Sequence, residues 1–312
     1  MPEPERDDNM YNANEIYEKM NALIESEGSQ NKAASKIGIS SGTISRIRNG
    51  TYEGNTEAIL EKLAEYFEVK AVAAETYNEV EYADTYISAE ICDIISVCQA
   101  KGSLAIACGD AGIGKTKAAA HYARNHSGAI LVTINPCFTC SKSVLKLLAD
   151  RLGAGMEKAQ DELWRSIASK LSDGMVIIVD EAQHLTPKTI EVLRSFCDYF
   201  SDRGQTLGVC LIGNIETVHR FGGKSAAIAQ IRNRTKMTRT YSTRSVKRDD
   251  IVKLFPPLSG DGHDMEIDFL FRLAQTPQAI RGAVNVYSNA YDNSDTSYNG
   301  LVAMAKHMDI AV

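Results

Sequence analysis

The sequence contains no run of apolar residues that approaches the roughly 20 needed to cross a membrane as a helix. Its first residues also lack the basic and then apolar layout of a secretory signal peptide, because Glu3, Glu5, Asp7 and Asp8 accompany a single Arg6. We therefore expect a cytoplasmic protein with no membrane partner.

The sequence also lacks a disulfide framework. Its seven cysteines are an odd number spread through 312 residues, which is typical of reduced thiols in a reducing compartment. Cys137 and Cys140 form one CxxC, but a structural zinc site needs a second pair of ligands. The nearest candidates, His121 and His126, lie on a predicted helix, so zinc or redox chemistry is the less favoured interpretation.

An excess of positive charge is missing too, since the net charge is −6. This argues against a protein that coats nucleic acid with its whole surface, and makes the local distribution of charge more informative than the sum. With 44% hydrophobic and 24% charged residues, the composition is that of an ordinary globular protein. The length favours two or three domains, and no internal repeat is present.

The first part of the chain is predicted to be helical. Ile16, Met20, Leu23 and Ile24 fall on one face at helical spacing, and a second apolar stripe follows at 59–67. We assign residues 1–70 to a small helical domain. The acidic, weakly patterned segment 71–87 is predicted to be a linker.

From residue 104 short β-prone runs alternate with longer helical stretches, which is typical of a parallel sheet covered by helices. The predicted strands are 104–108, 130–134, 175–179 and 208–212. We predict an α/β core over residues 88–248, followed by a C-terminal helical domain at 249–312 without further strands.

The strongest motif is the run GDAGIGKT at 109–116, which satisfies GxxxxGK[ST] directly after a predicted strand and before a predicted helix. Glycines let backbone N–H groups curl around the phosphates of ATP, Lys115 adds a positive charge, and Thr116 offers its hydroxyl to Mg²⁺. The predicted nucleotide-binding residues are Gly109, Asp110, Ala111, Gly112, Ile113, Gly114, Lys115, Thr116 and Lys117. A chance glycine-rich turn is disfavoured by the flanking strand and helix.

A pair of acids follows the third predicted strand. Asp180 is placed to hold Mg²⁺, and Glu181 to polarise the attacking water as a general base. Two adjacent acids after a strand are common at ordinary surfaces. Together with the P-loop they predict an ATPase.

These motifs, together with Gly213-Asn214 after the fourth predicted strand, resemble those of the AAA+ ATPases. The resemblance implies that Asn214 is the sensor 1 residue, which orients the water near the γ-phosphate. It also implies that Arg281, in the segment 277–281, lies on a lid helix as sensor 2. The alternative for Arg281 is a solvated helix arginine.

The segment 220–248 holds nine lysines and arginines and no acidic residue. Such a band attracts the phosphates of nucleic acid or of a nucleotide, the alternative being a solvated basic face. The AAA+ resemblance implies an arginine finger here that enters the ATP site of a neighbouring subunit, with Arg232 and Arg234 as equal candidates. Lys224, Lys236 and Arg239 are predicted to contact DNA.

The span 30–48 has the pattern of a helix-turn-helix, with Gly38 at the turn and Ser40 or Ser41 as the cap of the second helix. The second helix would present short polar and basic side chains to DNA, although small helical domains can show this spacing without binding DNA. The predicted DNA-contacting residues are Ser41, Thr43, Ser45, Arg46 and Arg48.

A helix-turn-helix domain, an AAA+ core and a helical lid together resemble the Mu B family of phage transposition ATPases, most specifically in the run VDEAQHL at 179–185. The resemblance implies an ATPase that binds double-stranded DNA largely without sequence preference, assembles on it as a helical oligomer or ring, and delivers it to a transposase. Two alternatives stay open. One is an ATPase of a secretion or helicase-loader assembly, and the other is a helix-turn-helix repressor that senses nucleotide.

Overall fold

The computed structural model describes residues 12–138, 140–217 and 235–311. The chain divides into two compact units, Met1–Asn78 and Glu79–Val312. Within the described ranges, no helix is both long enough and apolar enough to span a bilayer.

The N-terminal unit consists of four helices: α1 (Ala13–Glu27), α2 (Gln30–Ile37), α3 (Ser41–Arg48) and α4 (Thr56–Glu75). Gly38 ends α2 in the left-handed conformation, with φ of 75°. Ser40 then caps α3 by accepting the Thr43 N–H at 3.0 Å. Helices α2 and α3 therefore follow one another across a three-residue turn.

The core of this unit forms where α1, α2, α3 and α4 turn their apolar faces inward. Its fully buried members include Met20, Ile44 and Leu63. Ile39 is partly buried against this cluster.

The predicted linker is shorter in the structure than 71–87. Helix α4 continues through Glu75, and the next helix, α5 (Tyr86–Lys101), already begins at Tyr86. Residues 76–85 remain between the two helices.

The second unit contains a five-stranded sheet whose paired strands are all parallel. The strands are β1 (Leu104–Gly109), β2 (Ala129–Thr133), β3 (Met175–Asp180), β4 (Leu207–Gly213) and β5 (Thr235–Tyr241), in the order β2-β3-β4-β1-β5. Strands β1 and β4 are buried along their whole length, which matches their continuous apolar sequence.

Strand β5 was not predicted from the sequence. This strand lies at the sheet edge beside β1, and most of its side chains are exposed. Its sequence, TKMTRTY, therefore lacks the apolar run by which the buried strands were recognised.

Helices that alternate with the strands along the chain pack on the sheet. They are α5, α6 (Lys115–Asn125), α7 (Ser141–Leu152), α8 (Gln160–Lys170) and α9 (Pro187–Ser201). One buried cluster joins apolar residues of α7, α8 and α9 to those of β1 to β4. The rigid sheet fixes the loops that leave the carboxyl ends of its strands.

The chain ends in a helical region of α10 (Arg248–Leu254), α11 (Asp264–Ala274), α12 (Ala279–Asp292) and α13 (Tyr298–His307). Its core includes Phe255 and Tyr287, both almost fully buried, with ring centroids 4.7 Å apart. No strand occurs between residues 248 and 311.

Candidate nucleotide site

The GDAGIGKT loop leaves β1 in close contact with the end of β5. The Asp110 N–H donates to the Tyr241 carbonyl at 3.1 Å, and the Asp110 carboxylate accepts the Thr243 N–H at 2.8 Å. A Cβ atom on Gly109 would lie 2.2 Å from the Tyr241 carbonyl oxygen, well inside contact distance. Glycine at 109 thus lets the loop start against the edge strand that the sequence did not reveal.

The loop then curls by means of two glycines with positive φ, 75° at Gly112 and 97° at Gly114. Gly114 is the N-cap of α6, and no side chain caps this end. The first N–H groups of α6 are therefore available to an anion, which the helix dipole also favours.

Lys115 lies on the first turn of α6 and folds back over the loop. Its ammonium donates to the Gly109 carbonyl at 3.0 Å and to the Asp110 carbonyl at 2.6 Å. Burial lowers the pKa of Lys115, while the nearby carboxylates of Asp180, Glu181 and Asp110 oppose that shift. A phosphate group would compensate the Lys115 ammonium for the loss of hydration, since an anion accepts stronger hydrogen bonds than a carbonyl.

Asp180 ends β3 with its side chain buried, at 1% exposure. Its Oδ1 accepts the Glu181 N–H at 2.9 Å, whereas Oδ2 is buried with no hydrogen-bond partner among the described residues. Burial raises the pKa of Asp180, an effect that the Thr116 hydroxyl opposes. An uncompensated carboxylate oxygen beside a hydroxyl is a ligand set that suits Mg²⁺, so the residues present fit this ion.

Glu181 follows in a conformation that is rare for a residue with a side chain, with φ of 57°. The short helical turn Ala182–His184 comes next, and its Gln183 donates from Nε2 to the Glu181 carboxylate. The Gln183 Oε1 in turn accepts the Asn214 N–H at 3.2 Å. The structure therefore brings Glu181 and Asn214 together through a residue to which the sequence analysis assigned no role.

Asn214 follows β4, and its Oδ1 accepts the Glu216 N–H at 2.9 Å. Arg281 lies on the first turn of α12, next to the loop. Its backbone N–H donates to the Gly112 carbonyl at 3.1 Å, and a Cβ on Gly112 would lie 3.1 Å from that of Arg281. Helix α12 and the P-loop are thus in direct backbone contact.

These elements surround a cavity of about 420 Å³, a size that suits a nucleotide. Its walls come from the P-loop, from the ends of β3 and β4, and from the lid. The lining residues of predicted function are Ala111, Gly112, Gly114, Lys115, Thr116, Lys117, Glu181, Asn214 and Arg281.

One wall of the cavity was not foreseen. The segment 79–85, assigned to the linker, contributes Glu79, Val80, Tyr82, Ala83 and Thr85 to the lining. Because Val80 and Ala83 on this side and Ile280 and Val284 on the lid are apolar, this end of the cavity suits a nucleotide base.

Contacts along α6 hold the segment in place. The Lys117 ammonium, predicted to bind nucleotide, donates to Glu79 at 3.1 Å and to the Val80 carbonyl at 3.2 Å. Arg124 pairs with Glu81, and the Tyr82 ring stacks on His121 with centroids 3.5 Å apart. The sequence signal for this contact is the spacing of charges. Glu79 and Glu81 pair with Lys117 and Arg124, which lie seven residues apart on α6.

The predicted DNA-contacting residues lie elsewhere. Arg46 and Arg48 on α3 are exposed, as are Lys236 and Arg239 on β5. Ser41, Thr43 and Ser45 are half-buried. Lys224 and the two arginine-finger candidates, Arg232 and Arg234, lie outside the described residues.

The CxxC pair forms no metal site with the described side chains. Cys137 and Cys140 are exposed free thiols, and the described part of the chain has no group of three or more histidines, cysteines or acids placed to bind a metal. A hydrogen bond with Ser143 lowers the pKa of Cys140.

A parallel sheet with this strand order, a P-loop after β1, an acid pair after β3, a polar residue after β4 and a C-terminal helical region define an ATPase of the AAA+ class. The AAA domain family matches residues 99–221. Among solved structures, the ADP form of the ORC2 protein of Aeropyrum pernix is similar, with a TM-score of 0.52. That match has 12% identity and covers 70% of this chain and 66% of the other, just under two thirds, so it supports the fold alone.

Two relatives cover most of the chain. The Mu-like prophage FluMu DNA transposition protein B of Haemophilus influenzae is 31% identical over 233 residues, which is 73% of this chain and 79% of the relative. The ATP-dependent target DNA activator B of Escherichia phage Mu is 27% identical over 274 residues, which is 86% of each chain. The chain belongs to the family of the Mu-like DNA transposition protein B.

Proposed function

We propose that this ATPase binds double-stranded DNA largely without sequence preference when it holds ATP, assembles on that DNA, and delivers it to a transposase. The observation that carries the proposal is the ordered P-loop site in a chain whose relative is named an ATP-dependent target DNA activator. Hydrolysis of ATP would end the DNA-bound state.

At the site, the free N–H groups of the loop and the Lys115 ammonium bind the β- and γ-phosphates. Thr116 and Asp180 would hold Mg²⁺, which supplies charge neutralisation on those phosphates. Glu181 accepts a proton from the attacking water, whose oxygen bonds to the γ-phosphorus as the bond to the bridging oxygen breaks. Asn214 orients that water, and ADP and phosphate are the products.

Assembly of subunits would depend on arginines outside the P-loop that approach the phosphates of ATP. Arg281 approaches from the lid of the same subunit, because its helix contacts Gly112. Arg232 or Arg234 of a neighbouring subunit would complete the site. ATP bound between two subunits would then favour their association.

DNA binding is assigned to two basic surfaces, Arg46 and Arg48 on α3 and Lys236 and Arg239 on β5. Each surface offers only a few exposed cations, and one phosphate contact contributes little by itself. An array of subunits adds these contacts along the duplex, so binding should be firm only after assembly and should weaken steeply with salt.

A filter-binding assay on several unrelated duplexes, with and without Mg²⁺ and ATP, tests the proposal. We expect retention that needs ATP and differs little between sequences. A Lys115→Ala variant should lose the ATP effect, and a Glu181→Gln variant should keep it while hydrolysing about 100-fold more slowly. Equal retention without ATP, or retention of one sequence alone, would contradict the proposal and favour a repressor.

A further inference from the structure

Gln183 is a buried amide whose two ends are both engaged at the nucleotide site. Its side chain is 7% exposed, its Nε2 donates to the Glu181 carboxylate, and its Oε1 accepts the Asn214 N–H at 3.2 Å. The glutamine amide meets this need because its NH₂ group donates and its oxygen accepts. Neither an ionised carboxylate nor an apolar residue of the same length does both.

The end of β4 is shaped to admit this amide. A Cβ on Gly213 would lie 2.7 Å from the Gln183 Oε1 and 2.3 Å from the Thr217 hydroxyl. The φ angle of Gly213 is not positive, so glycine is required here for its small size and not for its backbone conformation. The close approach of Gln183 to the Asn214 backbone therefore depends on the absence of a side chain at 213.

The bond to Glu181 also acts on a strained residue. A non-glycine residue with φ of 57° is strained and persists only where its surroundings hold it. The Gln183 amide fixes the carboxylate of that residue from the following turn. The direction of the Glu181 carboxylate thus depends on Gln183.

We propose that Gln183 is a positioning residue for hydrolysis: it holds the Glu181 carboxylate and ties its position to the backbone of Asn214. The inference rests on the proposed role of Glu181 as general base. Through this amide, a displacement of Asn214 caused by the terminal phosphate moves the base. Gln183 lines the nucleotide cavity next to these two residues, and its proposed role is exerted through Glu181.

The first test compares Gln183→Met, which keeps the length but loses both bonds, with Gln183→Glu, which is isosteric. Gln205→Glu makes the same change at an exposed position and serves as the control. We expect kcat for ATP to fall about 10- to 100-fold in both Gln183 variants, because displacing a reacting group by about 1 Å slows a reaction by up to this factor. The Kd for ATP should stay within about threefold, since positioning acts on the chemical step.

The pH profile separates positioning from a general loss of structure. In Gln183→Glu a second carboxylate faces Glu181, so the pKa of the pair rises and the acid limb of kcat moves to higher pH. Gln183→Met removes the hydrogen bond to the Glu181 carboxylate but adds no charge, so the acid limb should move in the same direction by a smaller amount. A fall in kcat with the original pH profile in both variants would overturn the proposal, as would an unchanged kcat.

A double-mutant cycle closes the test. If Gln183 acts through Glu181, Gln183→Met should slow a Glu181→Gln enzyme by less than about twofold. Full additivity would show an independent role and refute the inference while leaving the general base intact. A Glu181→Gln enzyme that hydrolyses ATP at the original rate would instead refute the base assignment, and the inference with it.

Discussion

Replacing Asp180 by asparagine should stabilise the nucleotide-free protein and abolish its stabilisation by Mg²⁺ and ATP. The carboxylate is 1% exposed, and its Oδ2 has no hydrogen-bond partner among the described residues. Asparagine has the same shape and can still accept the Glu181 N–H through its Oδ1. The substitution therefore removes a buried charge and retains the bond from the Glu181 N–H, although it gives up the favourable interactions of the carboxylate with the Thr116 hydroxyl and Lys115.

The expected size follows from the cost of an unsatisfied buried group, about 1–3 kcal/mol. The amide NH₂ of asparagine also needs an acceptor, so we expect a net gain of about 1 kcal/mol, the low end of that range. For a unit of the size of Glu79–Val312 this corresponds to a rise in Tm of about 2–4 °C. In the original protein, ligand at about 100 times its Kd adds about 2.7 kcal/mol, which is a rise of about 5–10 °C.

The gain in stability from Asp180→Asn should increase as the pH rises. The raised pKa of Asp180 means that the folded chain holds this proton to higher pH than the unfolded chain. Stability is therefore lost as pH rises from the ordinary carboxyl range through the raised pKa, and the asparagine variant escapes this loss. The difference in Tm should be largest at neutral pH and should disappear on acidification.

Thermal melts of both proteins at several pH values, with and without Mg²⁺ and ATP, provide the measurement. An Asp261→Asn variant, altered at an exposed carboxylate, controls for net charge. A lower Tm for nucleotide-free Asp180→Asn, or an undiminished rise in Tm with Mg²⁺ and ATP, would refute the reasoning about the buried carboxylate.

Three further experiments test the P-loop, Arg281 and the proposed DNA-binding surface of β5. Gly109→Ala should lower the free energy of unfolding by about 3 kcal/mol in urea denaturation, because its Cβ meets the backbone of β5, whereas Gly260→Ala has open space and should change little; equal effects would contradict the packing argument. Arg281→Ala should reduce kcat/KM for ATP by about 10-fold in steady-state assays, and an unchanged value would make it a solvated arginine. Joint replacement of Lys236 and Arg239 by alanine should reduce the slope of log K against log[salt] for DNA by about 2, and an unchanged slope would exclude β5 from the interface.

The buried strands could be predicted from the sequence because a short continuous apolar run can form few structures other than a buried strand. The predicted ends of β1 to β4 lie within one residue of the structure. The P-loop was equally accessible, since its spacing reflects a backbone conformation that few sequences adopt. These features follow from local chemistry.

The missed features depend on contacts between distant parts of the chain. Strand β5 has a polar sequence and owes its conformation to pairing with β1. Residues 79–85 form a wall of the cavity only because α6 presents Lys117, His121 and Arg124 to them. The role of Gln183 appears only when the ends of β3 and β4 lie side by side.

Titration calorimetry with Mg²⁺ and ATP tests the central claim most directly, with Lys115→Ala as the comparison. We expect one molecule of ATP bound per folded chain, and little or no heat from the variant. A folded original protein that takes up no adenine nucleotide would contradict the account at its base.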